Sequence, residues 1–278
     1  MGQLSPIIEG RTKRVSITTF SWTVESPKAQ LLLQHGLGEY SERYVDQYSG
    51  LIPRLNQLDI DVYAFDLPGH GKSDGERGLI DLQVGVWLHL QAREKLAANN
   101  LPTVLYGHSL GGLITAGSLN RSSANVAAAV IGSSALHLPS QGWERALSQA
   151  LGKLLPNAPM PLPRPGLEAL SRVQGVVDRA ANDPLFFQGK AKNLVAKSVI
   201  EVSDEVWGNT GNWKVPTLIM HGTADTSTDY RASVRLSQEI ASVDRELKLY
   251  EGAYHELLND TVADEATSDL LQWIKSRV

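Results

Sequence analysis

Cysteine is absent from the 278 residues, and with it go disulfides, thiolate nucleophiles and any zinc or iron–sulfur site built on sulfur. No pair among the seven histidines has the His-Glu-x-x-His spacing of a zinc hydrolase. Blocks of lysine and arginine are missing and the formal net charge is -4. The chain therefore lacks the electrostatic footprint that a phosphate backbone requires, which excludes nucleic acid as a partner. No apolar run approaches the roughly 20 residues of a membrane-spanning helix. The first twenty residues hold Arg11, Lys13 and Arg14 but no apolar stretch ahead of a small-residue cleavage site. A secretory signal is thus not expected, and the cytoplasm is the expected location.

What is present is ordinary for a soluble globular chain, with 42% hydrophobic and 20% charged residues, and the length suits one α/β domain. Short runs rich in β-branched residues or leucine predict strands over 15–24, 29–33, 60–65, 103–106, 126–131, 217–220 and 247–250. Helical periodicity predicts helices over 44–58, 79–98, 113–121, 230–242 and 262–276. Strands alternating with helices imply a mostly parallel sheet covered on both faces. The alternation lapses between His137 and Trp213. There Trp143, Leu147, Leu151 and Leu155 recur at helical spacing, five prolines follow from Pro156 to Pro165, and helical patterning resumes over 167–181 and 192–199. The expectation is a core built from residues 1–136 and 214–278, interrupted by a helical insertion over 137–213 with the prolines as a stiff connector.

The segment Gly107-His108-Ser109-Leu110-Gly111 stands between an apolar run and a helical one. This Gly-x-Ser-x-Gly pattern suits a tight strand-to-helix turn that lifts a serine hydroxyl clear of the backbone, above helix N–H groups that favour negative charge. A second copy, Gly71-Lys72-Ser73-Asp74-Gly75, has neither strand before it nor helix after it and is expected to be a loop. The run from Asp66 to Ser73 also imitates the end of a phosphate-binding loop. It carries Asp66 where glycine is required and opens no helix, which excludes nucleotide binding.

A serine needs a base, and the base needs a carboxylate to orient it. His255 comes after the strand predicted over 247–250, and Asp225 after the one predicted over 217–220, so both fall at carboxyl ends, the edge where reactive groups gather in parallel sheets. Asp229 is the rival acid, although it is equally suited to cap the helix beginning near Tyr230. The amides expected to stabilise an oxyanion are those of Leu110 and of Leu37, in the glycine-flanked segment His35-Gly36-Leu37-Gly38-Glu39. His35 and a Glu39–Arg43 pair are expected to support that loop, and His108 to pack behind the serine. The hydroxyl-rich run Thr226-Ser227-Thr228 receives no role.

Over nearly its whole length the chain resembles the monoacylglycerol lipase and lysophospholipase group of α/β-hydrolases. The resemblance rests on His35 to Glu39 with Arg43-Tyr44, on Asp66 to Gly75, on Gly107 to Gly112, and on Asn182-Asp183-Pro184-Leu185. It continues in His221-Gly222-Thr223-Ala224-Asp225 and Gly252-Ala253-Tyr254-His255-Glu256. It implies an α/β-hydrolase fold, a mostly parallel sheet flanked by helices with a helical cap inserted. It also implies Ser109 as nucleophile, Asp225 as acid, His255 as base and the Leu37 and Leu110 amides as oxyanion donors, with no cofactor and no metal. The implied substrate is a lipid ester with a single acyl chain, cleaved through an acyl-serine. If the protein contacts a membrane at all, the contact is expected to be peripheral, through the cap. The proline stretch departs from better-known members, so acyl-chain preference transfers least. A short-chain carboxylesterase or acyltransferase on the same triad is the alternative enzyme, and an inactive binding protein of this fold the alternative outside enzymes.

Overall fold

The computed structural model describes residues 15–139, 142–161 and 165–278; Arg11, Lys13, Arg14 and Pro163 lie outside them. Among the described residues seven strands, β1 Thr19–Trp22, β2 Ala29–Gln34, β3 Ile60–Phe65, β4 Thr103–His108, β5 Ala128–Gly132, β6 Thr217–Gly222 and β7 Arg245–Tyr250, form one sheet in the order β1-β3-β2-β4-β5-β6-β7. Of these, the edge strand β1 alone runs antiparallel. Its contact with β3 covers Thr19 to Trp22 alone, which is why the strand expected over 15–24 is shorter.

Every residue of β2, β4, β5 and β6 is buried, as strands covered on both faces must be. Alternate side chains feed two cores. Leu32, Leu105, Ile131 and Ile219 pack with α3 Leu82–Ala97, α4 Leu110–Arg121 and α8 Tyr230–Glu239, whereas Leu31, Leu33, Val104, Val130 and Leu218 face α2 Leu51–Asn56 and α9 Ala263–Lys275. Asp81 caps α3 by accepting from the Gln83 amide. No helix among the described residues is long and apolar enough to cross a membrane.

The helix expected over 44–58 is broken into α1 Arg43–Asp46 and α2. Between them Tyr48, Ser49 and Gly50 all take left-handed φ values of 51°, 54° and 61°. Tertiary bonds compensate: the Tyr48 amide donates to Asn259 Oδ1 (2.5 Å) and Ser49 Oγ to the Leu258 carbonyl (2.9 Å). The break aims the Tyr48 phenol into the protein.

Between β5 and β6 come α5 Gly142–Leu154, α6 Gln174–Asn182 and α7 Asn193–Gly208. α7 buries Val195, Val202 and Val206 in the core beside α4. α5 lies on α7 through an Arg145–Asp204 ion pair and the close approach of Gly152 to Lys197, and its apolar row turns outward, with Trp143 64% and Leu154 79% exposed. Because β2, β4, β6 and β7 are parallel, the segments after them emerge at a common edge.

Candidate active site

Ser109 leaves β4 with φ 55° and ψ -120° and stands directly ahead of α4. The helix therefore starts at Leu110, one turn earlier than the periodicity predicts. A left-handed φ on a non-glycine residue is strained and persists only when its surroundings hold it. Here the Ser109 amide donates to the Gly132 carbonyl (2.9 Å), and its own carbonyl accepts from the Ala135 amide (2.9 Å). The flanking glycines are required by space: a Cβ on Gly107 would lie 2.4 Å from the Gly111 carbonyl oxygen, and one on Gly111 2.1 Å from that of Gln34. With its backbone so occupied, the serine presents its side chain, and Ser109 Oγ lies 2.9 Å from His255 Nε2.

His255 Nδ1 in turn lies 2.7 Å from Asp225 Oδ2, so the three residues form one hydrogen-bonded line across 146 positions of sequence. Asp225 is fully enclosed by donors. Its Oδ1 accepts from the Ser227 amide (2.7 Å) and the Thr228 amide (3.0 Å), and Oδ2 from the Thr228 hydroxyl (2.8 Å). His221 Nε2 also reaches Oδ2 at 3.2 Å while its Nδ1 meets Ser233 Oγ at 2.7 Å. His255 thus donates to the carboxylate and accepts from Ser109. Burial opposes charge on Asp225, but His255 beside it and the hydrogen bond from His221 prevail and hold the carboxyl well below the usual range. Burial likewise favours neutral His255, yet the Asp225 carboxylate outweighs it and raises the imidazole above its ordinary value. Asp229 stands apart: it caps α8 by accepting from the Arg231 amide and pairs with the Arg231 guanidinium.

The loop after β2 runs beside the serine. Gly36 comes so close that a Cβ there would sit 2.9 Å from Ser109 Cβ, and among the described residues neither the Leu37 nor the Leu110 amide has a hydrogen-bond acceptor. His35 Nε2 accepts from the Leu67 amide (3.0 Å), which puts its proton on Nδ1 for the Gly36 carbonyl (2.9 Å). Glu39 holds the same loop by accepting from the Gly36 amide (2.6 Å).

Glu39 belongs to a buried floor beneath the line. It also accepts from the Tyr48 phenol (2.8 Å), Arg43 Nη1 (3.1 Å) and His108 Nδ1 (2.9 Å). Arg43 Nη1 reaches on to Glu256 (3.0 Å), the residue after His255, and His108 Nε2 lies 3.3 Å from the His255 carbonyl. Burial works against charge on Glu39, but the His108 hydrogen bond and the positive charge of Arg43 overcome it and keep the carboxyl well below its usual range. One arginine between two carboxylates at almost complete burial is costly to disrupt, since removing a partner leaves an uncompensated buried charge.

The structure thus brings Ser109, Asp225, His255, Leu37 and Leu110 to one place. Sequence reasoning missed His221, Thr228 and the Arg43–Glu256 contact; the hydroxyl-rich run after Asp225 was the available signal for Thr228. No group of three or more potential metal ligands occurs among the described residues.

A profile of the family described as "Serine aminopeptidase, S33" matches residues 25–262. The chain belongs to this family of α/β-hydrolases. It is 30% identical over 264 residues to a monoacylglycerol lipase of Mycolicibacterium smegmatis, covering 92% of each chain. It is 31% identical over 260 residues to the monoglyceride lipase of Homo sapiens, covering 91% of this chain and 84% of that one. The crystal structure of a monoacylglycerol lipase from Paleococcus ferrophilus superposes with a TM-score of 0.83 at 30% identity, over 94% of this chain and 99% of that one. With these relatives, this α/β-hydrolase is a carboxylic ester hydrolase.

Proposed function

We propose that this hydrolase cleaves carboxylic esters of single-chain lipids, monoacylglycerols or lysophospholipids, through an acyl-serine on Ser109. The observation that carries the reading is the unbroken line from Ser109 Oγ through His255 to Asp225. Ser109 Oγ attacks the ester carbonyl while His255 Nε2 takes its proton, and the Asp225 carboxylate steadies the imidazolium that forms. The negative charge on the carbonyl oxygen is met by the Leu37 and Leu110 amides. Collapse expels the alcohol, which takes the proton from His255. Water then enters, gives its proton to His255, and releases the fatty acid as the proton returns to Ser109.

Residues 137–213 act in this reading as the cap over the site, seated on the core by α7. The outward row of α5 supports peripheral membrane contact: Trp143, Leu147, Leu154 and Leu155 are all exposed, as on helices that lie in the interface plane. Each acyl methylene buried under an apolar cap contributes up to about 0.8 kcal/mol, so chain length should alter kcat/KM strongly. The test is a panel of esters differing in chain and head group. Turnover of mono-oleoyl glycerol is expected; hydrolysis of short nitrophenyl esters with none of mono-oleoyl glycerol would replace the lipase reading with that of a short-chain esterase. A fluorophosphonate should label Ser109 in the same preparation.

The family's name, serine aminopeptidase, raises peptidase activity as a second reading. An aminopeptidase must pair a carboxylate with the substrate ammonium, and the buried carboxylates of this region are engaged, Glu39 and Glu256 with Arg43 and Asp225 with two histidines. Aminoacyl nitroanilides are accordingly expected to be poor substrates.

A further inference from the structure

The motif Asp183-Pro184-Leu185 lies in the insertion, far from Ser109 in sequence, and the acyl-serine mechanism leaves it unused. In the structure it forms a tight turn: the Phe186 amide donates to the Asp183 carbonyl (3.1 Å) and the Leu185 amide to Asp183 Oδ1 (2.8 Å), with proline at the second position where its fixed φ is favourable. The turn is pressed on the loop that carries Leu37. The Phe187 amide donates to the Gly38 carbonyl (2.7 Å), and the Tyr40 phenol donates to Asp183 Oδ2 (2.8 Å). The Phe186 ring covers the Arg43 guanidinium at 4.8 Å. Gly38 has φ 88°, and a Cβ on it would lie 2.7 Å from the Phe187 carbonyl oxygen. From the other side, Arg77 ties the Leu185 carbonyl to that of Gly71.

The Leu37 amide therefore sits in a peptide clamped from both directions. Upstream, His35 holds the Gly36 carbonyl of that same peptide and Glu39 holds the Gly36 amide, both from the core. Downstream, the Leu37 side chain rests on the core, and the next hydrogen bond to the main chain comes from the insertion, through the Gly38 carbonyl. We propose that the Asp183–Phe187 turn positions the oxyanion donor, so that the seating of the cap sets how well the transition state is stabilised. Tyr40, Asp183 and Phe187 are then positioning residues, acting through Gly38 and Leu37. Burial, together with the Asp183 carboxylate, raises the Tyr40 phenol above its usual range, so the contact keeps its donor at neutral pH.

The inference rests on the reading of Leu37 as an oxyanion donor, and the test separates the two. Tyr40→Phe removes one oxygen and should lower kcat on mono-oleoyl glycerol about tenfold, the loss of one hydrogen bond to a charged group, with KM within about twofold. It should weaken a trifluoromethyl ketone, which forms an oxyanion adduct with the serine, by a similar factor while leaving the melting temperature within a few degrees. Asp183→Ala should act alike, and the double variant should be no worse than the worse single one. Unchanged kcat in Tyr40→Phe, a loss confined to KM, or a loss of kcat with the ketone bound as tightly as before would each overturn the coupling. A wild-type protein that neither labels at Ser109 nor forms the ketone adduct would instead overturn the underlying reading.

Discussion

Ser109 and Ser73 both stand at the centre of a Gly-x-Ser-x-Gly segment. Ser73 is buried in the loop after β3, where its hydroxyl donates to the Asp66 carbonyl (2.7 Å) and accepts from the Thr18 amide (2.9 Å). At Ser109 it is the main chain that is occupied, by Gly132 and Ala135, and the hydroxyl that is left to His255. One serine spends its side chain on tying a loop to the start of the sheet; the other has its backbone fixed so that its side chain is available for chemistry. The pattern of glycines specifies room for a turn. Both serines have their amides occupied, Ser73 by the His70 carbonyl and Ser109 by that of Gly132; whether a helix or a loop succeeds the turn decides what the hydroxyl is left to meet.

The contrast can be broken by substitution. Ser109→Ala should reduce kcat by about 10⁶ and abolish fluorophosphonate labelling. Asp225→Asn comes next, at about 10⁴ in kcat, because the histidine loses the tautomer and the charge that serve it. The pH profile checks the cause. His255 must be neutral to act as base, so kcat/KM falls as pH drops through its pKa, which Asp225 raises; in Asp225→Asn that acid limb should move to lower pH. His221→Asn should cost about tenfold in kcat with KM unchanged, the scale of one hydrogen bond to a charged group. Asp229→Asn, which keeps a capping oxygen, should leave kcat and melting temperature near wild type, and a large loss of kcat there would contradict the choice of acid. Smallest in activity is Ser73→Ala: kcat should be unchanged while stability falls by about 1–2 kcal/mol, since the Thr18 amide loses its acceptor. A Ser73→Ala protein that folds normally yet loses activity would erase the distinction between the two serines.

The sheet was legible in the sequence because buried parallel strands read as short apolar runs, as in β2, β3, β4 and β6, while the half-exposed edge strand β7 was found by its Leu247–Tyr250 end. The three residues now joined by hydrogen bonds were found by their places at strand ends. What escaped depends on contacts between distant parts of the chain. The left-handed turn at Tyr48 to Gly50 is stabilised by Leu258 and Asn259, and no local periodicity registers them. The clasp of Arg43 on Glu256 spans 213 positions. His221, which from sequence is expected in the turn after the strand over 217–220, is instead the fifth residue of β6, and its second bond comes from Ser233 on α8. The single predicted helix over 167–181 is in fact a short turn and α6, because Ser171 Oγ and the Arg172 side chain are drawn to Asn259 and Asp260 of the core.

The insertion leaves the core after β5 and returns to it along α7, whose valines are packed beside α4. Between these two points it is tied to the core at several places: Leu170, Ser171 and Arg172 on Glu256, Asn259 and Asp260, Leu185 on Arg77, Lys192 on Glu76, and the Asp183 turn on the Gly38 loop. A graft that replaced α5 and the stretch after it with another roof, while keeping Leu170 to Arg172 and the turn from Asp183 to Phe187, would leave in place the ties that reach Glu256, Asn259, Asp260 and Gly38, and with them the surroundings of the Ser109–His255–Asp225 line.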